Sequence, residues 1–301
     1  MTLLITGATG LVGQELMRFV LQQGHKVNYL TTSKSKVKSQ SNVNGFYWNP
    51  DTGEIDLKAF EAVEVIVHLA GATISKKWTP SYKEELLNSR VKTSQLLFSS
   101  LEKINHEVKQ IISASAIGGY ESSYDKIYHE DDPINEPEFL GEIVRKWEEH
   151  VDVFSKLGVK VTKVRIGIVL SKNGGAFVEL IKPIKLGIGS ALGTGNQYQS
   201  WIHIDDLISI FYYLISNQLE GVFNGVAPYP VTNKEMLRTM AKALHKPFFM
   251  PNVPTFVLKL ILGEMHQIIT SSQHVSCMKL LDRGFQFKYA SLDKALLKLL
   301  Q

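Results

Sequence analysis

The stretch "LLITGATGLVG", Leu3 to Gly13, decides the fold. Leu3 to Thr6 is a short apolar run stopped by Gly7, as a buried strand requires. Leu11, Val12, Leu16, Phe19 and Val20 follow at roughly helical spacing, and Gly24 stops them. Between strand and helix stand Gly7, Gly10 and Gly13. Small residues there let the backbone approach a pyrophosphate, and a helix start offers unpaired N–H groups at the positive end of its dipole. A lone glycine pattern is weak evidence; one flanked by a readable strand and a readable helix is strong. The candidate pyrophosphate contacts of a dinucleotide are Gly7, Thr9, Gly10, Leu11, Val12 and Gly13.

Outward from this stretch, strand and helix patterns alternate. "KVNYLTT" from Lys26, "VEVIVHLAG" from Val63, "VKQIISASA" from Val108 and "VKVTKVRIGIVL" from Val159 read as strands. Helical patterns begin just after Pro80 and again at Phe139, the latter capped by Gly158. This order predicts an α/β chain with a Rossmann-type, doubly wound parallel sheet and helices on both faces. "GVFNGVA" from Gly221 reads as the last core strand. From Val231 the chain is mainly helical, broken at Pro247, Pro251 and Pro254. We expect a dinucleotide-binding domain over 1–228, with part of 171–200 in a substrate cleft, and a smaller helical C-terminal lobe over 229–301.

Composition narrows the function. With 44% hydrophobic and 21% charged residues, the chain is of ordinary globular make-up. A net charge of +4, with one small cluster at Lys34, Lys36 and Lys38, is too diffuse for a nucleic-acid face. The single Cys277 allows no internal disulfide, fits a reducing compartment and reads as a buried apolar residue. Met1 leads straight into a strand with no targeting pattern, and "FVLKLILG" from Phe256 falls short of the roughly 20 apolar residues of a membrane span. The expectation is a cytoplasmic protein with a small-molecule substrate, no metal, no membrane and no nucleic acid.

The end of the second strand bears on which dinucleotide is bound. An NAD-specific fold places Asp or Glu about 20 residues past the glycines, on the ribose 2′-OH. Here "YLTTSKSKVK" holds no acid. Thr32 and Ser33 can bond a phosphate and Lys34 can neutralise it, which favours NADP, with NAD as the alternative. At the end of the next strand, Leu69, Ala70 and Gly71 pass beneath the adenine-ribose side. His68 lies inside an apolar run and reads as packing.

The glycine motif, "HLAG", "SASA" and "WIHIDDL" resemble the extended short-chain dehydrogenase/reductase superfamily, which includes the NAD-dependent epimerases and dehydratases. "AGATISKKWTPSYKEELLNSRVKTSQLL", "FLGEIVRKWEE", "RIGIVLSKNGGAF" and "PYPVTNKEM" resemble an atypical branch, the epimerase family proteins, which carry a helical C-terminal domain. The resemblance runs nearly end to end and implies an NADP-type cofactor without naming a substrate. The branch often has a basic residue where this chain has Thr32, with Lys34 two places on. Typical superfamily members use a Tyr as general acid/base, a Lys four residues later that lowers its pKa, and a Ser or Thr on the preceding strand that bonds the substrate oxygen. Ser113 and Ser115 match the last role. Where the pair belongs, "PEFLGEIVRKWEE" offers Phe139 and Ile143, and neither moves a proton. Phe139, Ile143, Trp147, Val151 and Phe154 repeat at helical spacing, so this helix reads as packing.

Other groups remain as candidates. Tyr120 follows "SASAIGG" and is a replacement acid-base group beside Ser115, or a loop aromatic lining the pocket. Arg90 and Arg165 can bond phosphate or carboxylate in two-pronged fashion, Arg90 otherwise making a surface ion pair. "LGTGNQYQSWIH" from Leu192 matches the loop covering the substrate in sugar-nucleotide epimerases, which points to Gln197 and Trp201. Lys77 and Trp78, on the loop after "HLAG", fit the same pocket wall. His203 and Asp205 read as structural, with Asp205 or Asp206 capping a helix, and His129, Glu130 and Asp131 as an exposed acidic loop. Two functions follow: an NADP(H)-dependent oxidoreductase or epimerase with non-standard acid-base groups, or a non-catalytic NADP(H)-binding sensor or scaffold.

Overall fold

The computed structural model describes residues 1–301. Seven parallel strands form its centre: β1 (Thr2–Thr6), β2 (Lys26–Thr31), β3 (Val43–Asn49), β4 (Val63–His68), β5 (Gln110–Ala116), β6 (Lys160–Ile166) and β7 (Gly221–Gly225). Their spatial order is β7-β6-β5-β4-β1-β2-β3, and a short antiparallel strand, Ser39–Gln40, closes the β3 edge. The chain moves outward from β1 in one direction through β2 and β3, then in the other from β4. The order therefore reverses between β1 and β4, and ligands in open α/β sheets bind outside the strand ends at such a point.

Helices cover both faces. α1 (Leu11–Gln22) packs against α5 (Ile204–Ser216) on one side, and α2 (Pro80–Leu101) against α3 (Phe139–Asp152) on the other. α4 (Ala176–Lys185) packs on α6 (Asn233–Ala243). The two central strands are buried on both faces and carry apolar runs, Leu3–Ile5 on β1 and Val65–Val67 on β4, whereas β5 and β6 also bury Gln110, Ser113, Ser115, Thr162 and Arg165. One continuous core runs from Leu3 to Leu299 and takes in Met236, Met240, Leu280, Phe285 and Leu296. The C-terminal segment is thus built onto the core of the sheet. It is tied further by Tyr198–Gln199 pairing with Val231–Thr232, and by His274–Val275 pairing with Ile127–Tyr128.

The turn after β1 depends on glycine for steric reasons. Gly7 has φ +68°, and a Cβ there would meet the Leu69 carbonyl at 2.7 Å. A Cβ on Gly13 would lie 2.2 Å from the Gly7 carbonyl oxygen. That neighbour is backbone and cannot rotate away. Gly13→Ala is therefore expected to destabilise the fold by at least the roughly 1–3 kcal/mol typical of overpacking. At about 2–4 °C per kcal/mol for a large domain, thermal melts of the two proteins read this as a drop of several degrees.

Candidate functional site

A cleft of about 560 Å³ opens at the point where the strand order reverses. Gly7 and Thr9 form its floor, Ala70 and Gly71 one wall, and Thr32 another. Gly10 caps α1 with no side-chain hydrogen bond, and the first turn carries no acid. The first intrahelical bond runs from Gln14 N–H to the Gly10 carbonyl at 3.0 Å. Leu11, Val12 and Gly13 consequently present helix-start amides to the turn. Of the sequence candidates, Gly7, Thr9, Thr32, Ala70 and Gly71 line this cleft, and Gly10, Leu11, Val12 and Gly13 form the cap and first turn of α1 that follow it in sequence.

The β1 and β4 ends are locked together by one hydroxyl. Thr6 Oγ1 accepts the N–H groups of Leu69 and Ala70, both at 3.1 Å, and donates to His68 Nδ1 at 2.8 Å. The ring proton then sits on Nε2, which faces Ser94 Oγ at 3.1 Å, and Ser94 donates onward to the Arg90 carbonyl. Burial, with help from the Arg90 charge, pushes the His68 pKa down to about 3. His68 is therefore a neutral structural link, in keeping with its place in an apolar run.

Arg90 lies directly under Gly71, where a Cβ would come within 3.2 Å of its guanidinium carbon. It donates to the carbonyls of Leu86 and Ala72, at 2.8 and 3.3 Å, and stacks over Trp147 at 5.0 Å. No carboxylate pairs with it, and its Nε is buried without a partner. Desolvation pulls its pKa down to about 10, so the cation persists at neutral pH. A partly buried, uncompensated guanidinium beside the cleft is a ready partner for an anion.

At the β2 end, Thr31 Oγ1 accepts the Ser33 N–H, Ser33 pairs with Ser35, and the Lys34 ammonium rests 4.8 Å above the Tyr47 ring. No carboxylate stands on this segment. The sequence reading overlooked the opposite wall. Ser81, Glu84, Glu85, Asn88, Ser89 and Lys92 all line the cleft from α2. Their spacing of three and four makes a polar stripe on one helix face, a signal present in "SYKEELLNSRVK". Lys92 pairs with Asp51, which follows β3, at 2.7 Å across the cleft.

Several candidates lie elsewhere. Ser113 is fully buried, its hydroxyl on the Ala114 carbonyl. Ser115 donates to buried Glu148 at 2.6 Å. Glu148 takes Arg165 in a bidentate pair, at 2.9 and 3.1 Å, and Lys163 at 3.3 Å. Arg165 also donates to the Tyr120 hydroxyl at 2.9 Å, and that hydroxyl reaches Asn224 Oδ1 at 2.8 Å. Tyr120 is fully buried and stacked on Tyr128 at 4.9 Å, and burial pushes its pKa up to about 12. Ser115, Tyr120 and Arg165, candidates for acid-base and anion-binding roles, thus all belong to one buried hydrogen-bonded network. Glu130 joins it by accepting the Asn224 N–H at 3.0 Å, so it is no part of an exposed loop.

The expected substrate contacts are also interior. Gln197 is buried, donating to the carbonyls of Leu192 and Ile269. Trp201 is fully buried and donates to the Tyr229 carbonyl at 3.1 Å. Both hold the Gly-rich loop to the C-terminal segment. Lys77 is exposed, whereas Trp78 sits in a small apolar cluster with Tyr82, Leu86, Leu140 and Ile143. Phe139 packs edge-on to Trp78 at 5.5 Å. The face of α3 that carries Phe139 and Ile143 is therefore a packing face against α2. The helix α5 is capped by His203 itself, whose Nδ1 accepts the Asp205 N–H at 3.1 Å. Asp206, expected as a cap, instead accepts the N–H groups of Lys288 and Tyr289.

Known proteins share this fold. Residues 3–225 match the model of the NAD dependent epimerase/dehydratase family, and residues 253–299 match a domain of unknown function. The chain is 36% identical over 294 residues to an epimerase family protein of Staphylococcus aureus strain MRSA252, covering 97% of each. A human epimerase family protein, solved with NADPH, superposes with a TM-score of 0.84 at 28% identity, covering 99% of each chain. A nucleoside-diphosphate sugar epimerase from Corynebacterium glutamicum superposes with a TM-score of 0.78 at 27% identity, covering 99% of this chain and 58% of the other.

The buried network has a measurable pH signature. Burial alone would raise the Glu148 pKa, but the hydrogen bonds and charge of Arg165, with Lys163 and Ser115, outweigh it and hold the carboxyl below its ordinary value. The stabilisation is complete above the ordinary carboxylate pKa and is lost as pH falls through the lower folded value. Glu148→Gln leaves Arg165 buried with a neutral partner and should cost about 3–5 kcal/mol at pH 7. In thermal melts the gap between the two proteins should be full at pH 7 and shrink once the pH drops below the ordinary carboxylate range.

Proposed function

The chain belongs to the NAD-dependent epimerase/dehydratase family, and on that premise we propose that it is a cytoplasmic NADP(H)-dependent oxidoreductase or epimerase acting on a small molecule. One observation carries the reading: a glycine turn with free helix-start amides opens into a cleft at the β1/β4 junction, and no carboxylate stands at the end of β2. The residues fit the dinucleotide. Gly10 and the amides of Leu11, Val12 and Gly13 would hold the pyrophosphate. Thr32, Ser33 and Lys34 would take the 2′-phosphate, and Arg90, short of one partner, would meet an anionic group of cofactor or substrate. The NADPH bound by the human relative supports the choice of NADP. When bound, the nicotinamide supplies or accepts hydride.

Acid-base chemistry is where this chain departs from ordinary sugar-nucleotide epimerisation. That reaction needs a base for the hydroxyl proton as hydride leaves, and such help is worth roughly 10²–10⁴-fold. Phe139 and Ile143 supply none. Proton transfer at Tyr120 would require the Arg165–Asn224 network to open, and at Ser115 it would require release from Glu148. The expected activity is hydride transfer on a substrate that makes little demand on a protein acid.

Binding and turnover test the two halves of the proposal. NADPH should bind more tightly than NADH, and Lys34→Glu should erase the preference. Gly10→Val should weaken NADPH about tenfold or more, since charge-assisted hydrogen bonds contribute roughly 1.5–3 kcal/mol each. Calorimetric titration measures all three, and tighter NADH binding by the wild type would sink the NADP reading. Hydride exchange from labelled NADPH into a panel of sugar nucleotides and carbonyl compounds measures turnover. Tight NADPH binding with no exchange on any member would favour the non-catalytic sensor or scaffold.

A further inference from the structure

One face of the C-terminal region carries apolar side chains that nothing in the chain covers. Helix α7 (Thr255–Leu262) buries Leu258 and turns Phe256 and Leu260, one turn apart, outward at 73% and 85% exposure. Ile261 beside them is exposed as well. Leu186 and Ile188, in the loop that leaves α4, and Phe249 and Met250, in the loop between α6 and α7, are exposed in the same way. The two loops run side by side. The Val253 N–H donates to the Ala191 carbonyl and the Gly193 N–H to the Val253 carbonyl, both at 2.8 Å, and a Cβ on Gly187 would lie 4.0 Å from the Pro247 ring. Seven large apolar side chains therefore fall on two adjoining segments, where a soluble surface ordinarily scatters them singly.

The charge on these segments has one sign. Residues 180–204 and 236–263 hold no Asp or Glu. Lys185, Lys242, Lys246 and Lys259 stand among the apolar side chains, are exposed and make no ion pair. Of the carboxylates that bound these stretches, Glu179 is taken by Lys182 and Glu264 by Lys83, and Glu235 stands in the first turn of α6, at the far end from Lys242. Bare apolar side chains set among unpaired ammonium groups match a lipid surface of negative charge. Rings and branched chains enter the acyl boundary while lysines stay at the headgroups. A second copy docked about a two-fold axis would instead bring the same lysines against each other.

We infer that this face is a docking surface for an anionic phospholipid bilayer, with Leu186, Phe249, Phe256 and Leu260 entering the interface and Lys185, Lys246 and Lys259 meeting the lipid phosphates. No helix is long and apolar enough to cross a membrane, so the contact is with the surface alone. The sequence reading weighed "FVLKLILG" only as a span and expected no membrane partner. Folded, this stretch packs one side and leaves the other bare, which is the form an interfacial helix takes. The surface does not depend on the cofactor assignment, since none of its residues lines the cofactor cleft.

The test is flotation of the full chain with lipid vesicles. Vesicles of phosphatidylglycerol and phosphatidylcholine in equal parts should carry the wild type, and its affinity for phosphatidylcholine alone should be lower by about tenfold or more. Added salt should weaken the binding, because the contribution of the lysines is screened. Phe256 and Leu260 are exposed, so the double variant Phe256→Ser, Leu260→Ser leaves the core intact. It should weaken binding to the mixed vesicles by about tenfold or more, and Lys185→Glu with Lys246→Glu should weaken it as well, with thermal melts of both variants matching the wild type. No binding of the wild type to the mixed vesicles, equal binding to both kinds, or binding untouched by the Phe256 and Leu260 substitutions would each overturn the inference. A wild-type dimer in sedimentation velocity that the same substitutions convert to monomer, without vesicle binding, would assign the face to a second copy instead.

Discussion

The hydroxyl of Thr6 is the contact on which the site depends. It receives two amides from the end of β4 and gives its proton to His68, so the ends of β1 and β4 stay fixed side by side. That junction is the one place in the sheet where the loops leave in opposite directions, and the cleft exists because they do. Gly7 makes the approach possible, since any side chain there would strike the Leu69 carbonyl. A network of neutral groups performs the task. His68 stays uncharged through the physiological range because desolvation disfavours its cation.

The second organising element is charged. Glu148 and Arg165 form an enclosed ion pair with Ser115, Lys163 and Tyr120 gathered around it. Such pairs are dear to desolvate and are tolerated when every lone pair and proton is matched, which is nearly the case here. The network occupies the ends of β5 and β6, the region where related folds keep their reacting hydroxyls. Helix α3 is likewise given over to packing. Its Phe139–Ile143–Trp147 face meets Trp78, Tyr82, Leu86 and Arg90 of the opposing layer. Acid-base machinery and rigid packing compete for this volume, and packing holds it.

How legible was this in the sequence? The sheet and its winding were, because the central strands β1 and β4 are short apolar runs and the glycine turn has few alternatives. The glycine turn was legible for the same reason: Gly7, Gly10 and Gly13 answer to backbone geometry, which spacing records. Side-chain partners were not. Nothing in "SASAIGGY" tells that Ser115 meets Glu148, a residue 33 positions on, or that Tyr120 meets Asn224, 104 positions on. Gln197 and Trp201 sit in a Gly-rich loop that looks open, yet long-range hydrogen bonds to Ile269 and Tyr229 bury them. The polar stripe of α2 was readable by period alone and escaped because its residues match no motif.

The anchoring of Asp206 has a consequence for how the protein is made. Its carboxylate lies in the interior and is satisfied only by the amides of Lys288 and Tyr289. A ribosome delivers the chain from the N-terminus, so every strand of the central sheet is available before those two amides exist. Until they arrive, α5 carries a carboxylate that cannot be buried, and the apolar side chains awaiting Phe285, Leu292 and Leu296 stay bare. Closure of the native core therefore waits on synthesis and docking of the segment that carries Phe285, Lys288, Tyr289, Leu292 and Leu296.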